Sequence, residues 1–255
     1  MKKIALHIGV NKYDRSYYGG NIDLAQCVYD AERLYDYSIS RGIQPKDAFA
    51  YLDKGATIEY FTDFMTDAAK TLKKGDFLLI TDSSHGTYDD LVENGKVKRA
   101  TAICLHDGIL WDWEFRNLLK KFRAGVTVVW IADCCFSESN WRFIREAQPY
   151  NNARVRFTKL EEYPGIPAGA TQGDKRNIKC KMFTYSSSNI YQVSYEDERG
   201  GVFTTSLLQA LDKEPNLSYY QLWRRASEII APLYPQSPVF ENVRASNLTG
   251  NRFLT

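Results

Sequence analysis

Apolar residues in this chain are concentrated in short runs, and each run ends in a group of polar residues. The most apolar run, residues 126–132, is rich in β-branched side chains and lies between Gly125 and Asp133. A run of this length and composition is typical of a strand buried on both faces in the middle of a parallel sheet. Residues 3–10 and 76–84 have the same form and predict two further strands.

Between these strands, apolar residues recur at the spacing of one helical face. We predict a helix over residues 23–41, capped by Asp23 and ended by Gly42, and a second over residues 57–73, capped by Thr57. The alternation of strands and helices predicts an α/β fold with a mostly parallel central sheet flanked by helices on both faces. The other predicted elements are strands at residues 48–52, 99–105, 182–186 and 235–240, and helices at residues 112–122, 201–211 and 218–230.

Two polar stretches separate these elements. Residues 87–98 are interpreted as a loop, with a hairpin-like turn at Asn94 and Gly95. Residues 139–179 contain several prolines and glycines, which predicts a long, partly disordered loop. We therefore predict a single domain over residues 1–255, made of a larger part (1–138), a flexible loop (about 139–180) and a smaller C-terminal part (181–255).

Composition narrows the class of partner. The chain has 255 residues, 25% of them charged, and a formal net charge of +2. This charge is too close to balance to favour nucleic acid or an anionic membrane as the main partner. The apolar run that begins at Ile4 is too short for a secretory signal, and no run approaches the roughly 18 apolar residues of a membrane span.

The cysteines argue against a disulfide framework. There are five, at widely scattered positions and without a Cys-x-x-Cys pair, so a zinc site is also disfavoured. Free thiols are compatible with the reducing cytoplasm, which is the expected location.

Candidate chemistry lies where two of the predicted strands end. One strand is followed by Asp133, Cys134 and Cys135, and another is followed by Ser84, His85 and Gly86. The carboxyl ends of parallel strands meet at one edge of the sheet, which is where α/β proteins bind ligands. The sequence therefore predicts a cysteine–histidine dyad, the arrangement of a thiol nucleophile and its base. Adjacent strand residues point to opposite sides, so only one of the two cysteines faces this edge.

The other histidines and cysteines fit structural roles better. His7 lies in mid-strand between apolar neighbours, and His106 follows a strand but is a weaker competitor for the base. Cys27 lies on the apolar face of the first helix and Cys104 within a strand, so both are expected in the core. Cys180 has little informative context.

Together these residues resemble the caspase-like cysteine peptidases, and specifically the metacaspase branch and its bacterial relatives. The strand–Ser-Ser-His-Gly and strand–Asp-Cys-Cys-Phe-Ser pair carries most of the resemblance. The matching stretches span almost the whole chain: residues 8–13, 24–31, 56–57, 83–86, 133–137, 201–204 and 236–238.

The resemblance implies a caspase-like fold and a role for each matched residue. Cys135 falls on the nucleophile and His85 on the base. Gly86 and Cys135 would supply the backbone N–H groups that bind the oxyanion. The chain would then be a cysteine endopeptidase that acts on proteins or peptides, with no nucleic-acid or membrane partner.

The same resemblance assigns a specificity pocket. Asp30, Asp133 and Ser83 fall on the residues that line the first pocket in metacaspases. Two carboxylates at the floor of a pocket favour a cation, and arginine can meet them bidentately. The resemblance therefore implies cleavage after Arg or Lys. From spacing alone, however, Asp30 is equally compatible with the exposed face of a helix.

The chain departs from the family pattern at three positions. Ser84, Phe136 and Glu138 replace the family's usual Gly, His and Gly, and the last two bear on substrate preference. Family members often bind calcium, but Trp113 interrupts the expected acid pair here, so calcium dependence is left open. No cofactor is assigned as required. The candidate calcium ligands are Asp89, Asp90, Asp107, Asp112 and Glu114.

A further hypothesis concerns the long loop. It is basic and lies next to a site expected to prefer basic residues, and related peptidases are often processed in this region, so we expect the chain to cut itself there. The candidate positions are Arg154, Arg156, Lys159, Lys175, Arg176, Lys179 and Lys181.

Two alternatives remain open. The chain could be a catalytically inactive caspase-like scaffold that binds a partner protein. It could also be a thiol hydrolase or acyltransferase of another family, with Cys134 as the reactive thiol. The sequence leaves the oligomeric state open.

Overall fold

The computed structural model describes residues 1–135, 153–158, 166, 177–189, 192–245 and 251–254. The strands are β1 (Lys3–Gly9), β2 (Ala48–Leu52), β3 (Phe77–Ser83), β4 (His85–Glu93), β5 (Lys96–Leu105), β6 (Gly108–Trp111), β7 (Thr127–Asp133), β8 (Arg154–Val155), β9 (Lys181–Ser186), β10 (Tyr195–Asp197), β11 (Gly200–Gly201) and β12 (Val239–Val243). The helices are α1 (Arg15–Tyr18), α2 (Cys27–Ser40), α3 (Ile58–Thr71), α4 (Asp112–Leu119), α5 (Val202–Lys213) and α6 (Tyr219–Ile230). None of the described helices is both long and apolar enough to cross a membrane.

The central sheet has six strands in the order β12-β9-β7-β3-β1-β2. All neighbours are parallel except the edge pair β12–β9. This confirms the predicted α/β fold with a mostly parallel sheet. β12 lies at the edge, as predicted, but it begins at Val239 and not at residue 235, because the preceding prolines have no N–H for a ladder.

Apolar side chains fill both faces of the sheet. Helices α3 and α4 and the strands β4–β6 pack on one face. Helices α2, α5 and α6 contribute to the core on the other face. The predicted helices at Thr57 and Ser218 begin as expected, since both side chains accept a hydrogen bond from the first turn.

Two other sequence predictions of local structure are wrong. The first long helix begins at Cys27 and not at Asp23, because the Asn11 side chain caps the Cys27 N–H at 2.8 Å while Asp23 pairs with Lys12 at 2.9 Å. Residues 87–98 are not a loop either. They belong to the hairpin β4–β5, which turns at Asn94 and Gly95 as the sequence indicated.

The strand predicted at residues 99–105 is present as part of this hairpin, but it lies in a different sheet from the one expected. It belongs to a separate antiparallel sheet, β4-β5-β6, and not to the parallel one. A third small sheet, β11-β10-β8, contains part of the stretch that was predicted as a flexible loop. Most of that stretch, with Phe136 and Glu138 before it, lies outside the described residues.

Candidate active site

The ends of three parallel strands form a row at one edge of the central sheet. In the register of β1, β3 and β7, Gly9 is opposite Ser83, and Ser83 is opposite Asp133. Two residues beyond β3 and β7 come His85 and Cys135. The topology therefore brings the two predicted dyad residues to the same edge, as the sequence indicated.

A segment of the chain itself, residues 153–158, runs through this edge. Its strand β8 pairs antiparallel with β10. The Arg156 N–H donates to the Ser194 carbonyl at 2.9 Å, and on the other side the Thr158 N–H donates to the Gly86 carbonyl at 3.2 Å. The segment thus lies in extended form between β10 and β4.

The carbonyl oxygen of Arg156 accepts two backbone hydrogen bonds. The donors are the N–H of Gly86, at 3.1 Å, and the N–H of Cys135, at 3.4 Å. These are the two groups that the resemblance assigned to an oxyanion site. They converge on the peptide carbonyl between Arg156 and Phe157.

The side chain of Arg156 is fully buried in an acidic pocket. Its Nη2 lies 2.5 Å from Asp30 Oδ2, and its Nη1 donates to Ser83 Oγ at 2.7 Å. Asp133 Oδ2 lies 3.2 Å from Nη1. The structure therefore brings together all three predicted pocket residues, around a guanidinium from the same chain.

A third acid, Glu196, completes the pocket and was missed from the sequence. Its Oε2 lies 3.3 Å from both Nε and Nη2 of Arg156. The Glu196 carboxylate also accepts from the N–H groups of Ala25 and Gln26, at 3.1 and 3.3 Å. In sequence Glu196 is an acid in a short polar stretch, and only the pairing of β10 with β8 places it beside Arg156.

The pocket acids are held in place by other hydrogen bonds. Asp133 Oδ2 accepts from the N–H and Oγ1 of Thr204, at the N-terminus of α5, and its Oδ1 accepts from Ser194 Oγ. Burial raises the pKa of Asp133 although Arg156 opposes the shift. Asp30, on α2, is completely buried, so the alternative of an exposed helix position is wrong.

The electrostatics favour a cation here. Asp30 also pairs with Arg33 at 2.6 Å, so the pocket holds three carboxylates and, besides Arg156, one arginine. Removing Arg156 would leave buried negative charge unbalanced, which is costly at low dielectric. A planar guanidinium is well suited to the pocket because it offers several donors in fixed directions.

The hydrogen bonds of His85 indicate which ring nitrogen carries the proton. Nε2 lies 2.7 Å from the carbonyl oxygen of Ile22, which can only accept, so the proton of the neutral ring is assigned to Nε2. Nδ1 is buried and makes no hydrogen bond of normal geometry with the described residues. Burial lowers the pKa of His85 to about 4, and the backbone of Ile22 and Arg156 partly opposes this shift.

Cys135 is fully buried beneath the segment. Its Sγ accepts from the Ser194 N–H at 2.7 Å, and the Ser194 carbonyl, which binds Arg156, lies 3.6 Å from the same sulfur. Burial raises the pKa of Cys135 to about 12. With the segment in place, these pKa values correspond to neutral forms of both predicted dyad residues at pH 7.

Cys134 points away from this site. It packs in the core on the α3 and α4 side of the sheet, whereas Cys135 packs on the other side. Burial, together with the nearby Asp82, raises the pKa of Cys134 well above its ordinary value. This geometry does not support Cys134 as the reactive thiol.

Two glycines are required by close packing around Arg156. A Cβ built on Gly86 would overlap the carbonyl of Cys135. A Cβ on Gly201 would overlap the Asp133 carboxylate and the Arg156 guanidinium. Any larger residue at either position would displace the site.

Of the remaining histidines and cysteines, only Cys27 reaches this pocket, where its Sγ lies 3.9 Å from Glu196 Oε2. His7 is buried and bonded to Thr81 and Ser38, and its burial lowers its pKa to about 3. The His106 Nδ1 donates to the Lys12 carbonyl outside the site. Cys104 and Cys180 are buried free cysteines outside the site.

The candidate calcium ligands have protein partners in the structure. Asp112 pairs with Arg116, Asp90 pairs with Arg99, and Asp107 and Glu114 accept from the N–H groups of Ile58 and Trp111. Within the described parts of the chain, no group of three or more His, Cys, Asp or Glu residues could hold a metal ion.

Comparison with known proteins supports the fold and identifies the family. The chain is similar to the crystal structure of protein GSU0716 from Geobacter sulfurreducens, with 28% identity, 98% of each chain covered and a TM-score of 0.83. No curated protein matches the chain. The family model of the caspase domain, a family of cysteine peptidases, matches residues 2–248. Since this match spans nearly the whole sequence and the fold is the expected one, the chain belongs to the caspase domain family.

Proposed function

We propose that the protein is a cysteine endopeptidase that cleaves after basic residues, arginine above all, and that its first substrate is its own Arg156–Phe157 bond. One observation carries this proposal. Arg156 lies in the site as a substrate residue would, with its carbonyl oxygen on the N–H groups of Gly86 and Cys135 and its side chain among three carboxylates.

The assignment of the nucleophile follows from this carbonyl. Cys135 lies directly beside the Arg156–Phe157 peptide bond, since its own N–H binds the carbonyl oxygen. Attack by Sγ on the carbonyl carbon converts that oxygen to an oxyanion. The two N–H groups that already hold the oxygen then stabilise the developing negative charge, which is the usual role of such a pair.

His85 is proposed as the proton carrier. Its Nε2 proton is engaged by the Ile22 carbonyl, so the free lone pair is on Nδ1, the atom that makes no hydrogen bond of normal geometry. Nδ1 takes the thiol proton as sulfur attacks and passes it to the nitrogen of Phe157 when the C–N bond breaks. Water then hydrolyses the thioester and releases the carboxylate of Arg156.

Neutral dyad residues are consistent with this order of events. The raised pKa of Cys135 and the lowered pKa of His85 both come mainly from burial. Proton transfer must therefore accompany attack, because a preformed thiolate–imidazolium pair is disfavoured in the buried site.

Preference for a basic residue follows from the pocket. Asp30, Asp133 and Glu196 surround a position that only a long cationic side chain can reach. The narrower resemblance to the metacaspase branch supports the same preference. Substrates in trans are accordingly proposed to be proteins or peptides with exposed arginine or lysine.

Hydrolysis of fluorogenic arginyl peptides tests the proposal. Wild type should be active, Cys135→Ala and His85→Ala should be inactive, and Cys180→Ala, at a buried cysteine outside the site, serves as the matched control. Site-mapped labelling with an arginine-based electrophile should modify Cys135. No hydrolysis and no labelling would support an inactive scaffold, whereas a label on Cys134 would support the other thiol chemistry.

A further inference from the structure

We infer that Tyr88 forms a subsite for an aromatic residue directly after the cleaved bond. The inference rests on the proposed function, because it treats residues 153–158 as a bound substrate. The ring of Phe157, the first residue after Arg156, stacks on Tyr88 with centroids 5.7 Å apart and planes inclined at 29°.

The main chain fixes where this residue lies. Gly86 forms a parallel bridge with Phe157, donating to the Arg156 carbonyl and accepting from the Thr158 N–H. A bound peptide is thus held as a short additional strand along the start of β4. Side chains of a strand alternate, so Tyr88, two residues beyond Gly86, lies on the same face of β4 as Gly86.

Tyr88 is held in place by contacts within its own hairpin, which do not involve the bound segment. It pairs with Thr101 in the hairpin β4–β5, and the Arg99 guanidinium lies 4.3 Å from its ring centroid. Arg99 in turn pairs with Asp90 at 3.4 Å. An aromatic surface fixed by the sheet and by a cation loses little conformational freedom on binding, which favours a flat partner over a flexible one.

The contact between Tyr88 and Phe157 is exposed enough for another peptide to take the place of the chain's own segment. Tyr88 and Phe157 are both half-buried, unlike the fully buried Arg156. A peptide offered in trans could therefore present its own aromatic residue to Tyr88 after the chain's own segment has left. The subsite would select the residue on the C-terminal side of the scissile bond, independently of the arginine pocket.

Matched internally quenched peptides test the inference. They share the chain's own sequence Arg-Val-Arg-X-Thr, with X as Phe, Ala or Asp, and kcat/KM is measured for each with wild type. The Phe peptide should be cleaved about threefold to tenfold more efficiently than the Ala peptide, the range for an aromatic pair. The chain's own segment competes equally with every peptide, so it leaves this ratio unchanged.

Substitutions of Tyr88 test whether this residue causes the preference for the Phe peptide. Tyr88→Ala should bring the Phe-to-Ala ratio close to one, and Tyr88→Phe should retain it. Tyr88→Leu provides a second test if the alanine variant folds poorly. Tyr60→Ala, at an exposed aromatic on α3, should keep the wild-type ratio.

The possible results distinguish failure of the subsite from failure of the proposed function. Equal cleavage of all three peptides, faster cleavage of the Asp peptide, or a Phe preference that survives in both Tyr88→Ala and Tyr88→Leu overturns the subsite and leaves the peptidase proposal intact. Failure to cleave any arginine peptide overturns the proposed function and the subsite with it.

Discussion

Replacing Glu196 with glutamine should weaken the preference of the pocket for arginine over lysine. The Glu196 carboxylate is the pocket group that faces both Nε and Nη2 of the bound arginine, at 3.3 Å each. Lysine has a methylene carbon, Cε, where arginine has the Nε donor, so it forms fewer hydrogen bonds to this carboxylate. Glutamine retains the shape and one acceptor oxygen but removes the charge.

The magnitude follows from the contact that is lost. A hydrogen bond to a charged group contributes about 1.5–3 kcal/mol, which corresponds to about a 10-fold to 150-fold loss of kcat/KM on arginine peptides. Lysine peptides should lose only the longer-range attraction of the charge. The ratio of arginine to lysine cleavage should therefore fall by about tenfold or more.

The assay compares matched arginyl and lysyl peptides on one enzyme preparation, so that a partly unfolded fraction cancels in the ratio. Glu198→Gln is the matched control, because Glu198 is exposed in the turn that follows β10. An unchanged ratio in Glu196→Gln, or an equal fall in Glu198→Gln, would refute the assignment of Glu196 to arginine selectivity.

Three other changes have defined outcomes. Gly86→Ala should lower kcat by about 100-fold or more, since the added Cβ would displace the N–H that is proposed to bind the oxyanion. Arg156→Gln in a Cys135→Ala background should lower the free energy of unfolding in urea by about 3–5 kcal/mol, because it leaves buried carboxylates without their cation. Asp82→Asn should change the pH dependence of stability. Burial raises the pKa of Asp82 to about 7, so the folded chain retains a proton that the unfolded chain releases above about pH 4, and wild-type stability falls as pH rises between these values. The free energy of unfolding of the asparagine variant should not show this fall. Its advantage over wild type should therefore grow by up to about 4 kcal/mol as the pH rises across that interval.

Each of these has a control and a contrary result. For Gly86→Ala, circular dichroism should match wild type, and full activity would contradict the oxyanion assignment. For Arg156→Gln, the comparison is Arg224→Gln at an exposed ion pair, which should change stability by less than about 1 kcal/mol, and equal effects would argue against a buried charge cluster. For Asp82→Asn, a constant difference from wild type between pH 4 and 7 would show that Asp82 is not the titrating group.

Some of the architecture was accessible from the sequence because local signals were strong. The continuous apolar runs of β3 and β7 are typical of a buried strand, and each is followed by polar residues of the predicted site. The side chains of Thr57 and Ser218 cap their helices in the expected way. The dyad was predicted because His85 and Cys135 follow neighbouring central strands, and the sheet topology brings both to one edge.

Other features depended on contacts between distant residues. Asp23 looked like a helix cap but pairs with Lys12, while Asn11 caps the helix from another segment. The hairpin β4–β5 was missed because its middle is charged on both strands, which resembles a loop. In that case only the Asn94-Gly95 turn was visible.

The occupant of the pocket could not be predicted. Arg156 was one of seven basic residues in or beside a polar stretch, and nothing local distinguishes it from Arg154, two residues earlier. Its position depends on the pairing of β8 with β10 and on Glu196, which is far along the chain. Ion pairs between distant segments leave no periodic signal in the sequence.

Intact-mass spectrometry of the purified chain over time tests the central claim most directly. Wild type should convert to two fragments, residues 1–156 and 157–255, at a rate that does not depend on protein concentration, because the bond already lies in its own site. Cys135→Ala should remain a single species. A wild-type chain that hydrolyses arginine peptides yet stays intact, or is cut only at another residue, would contradict the account.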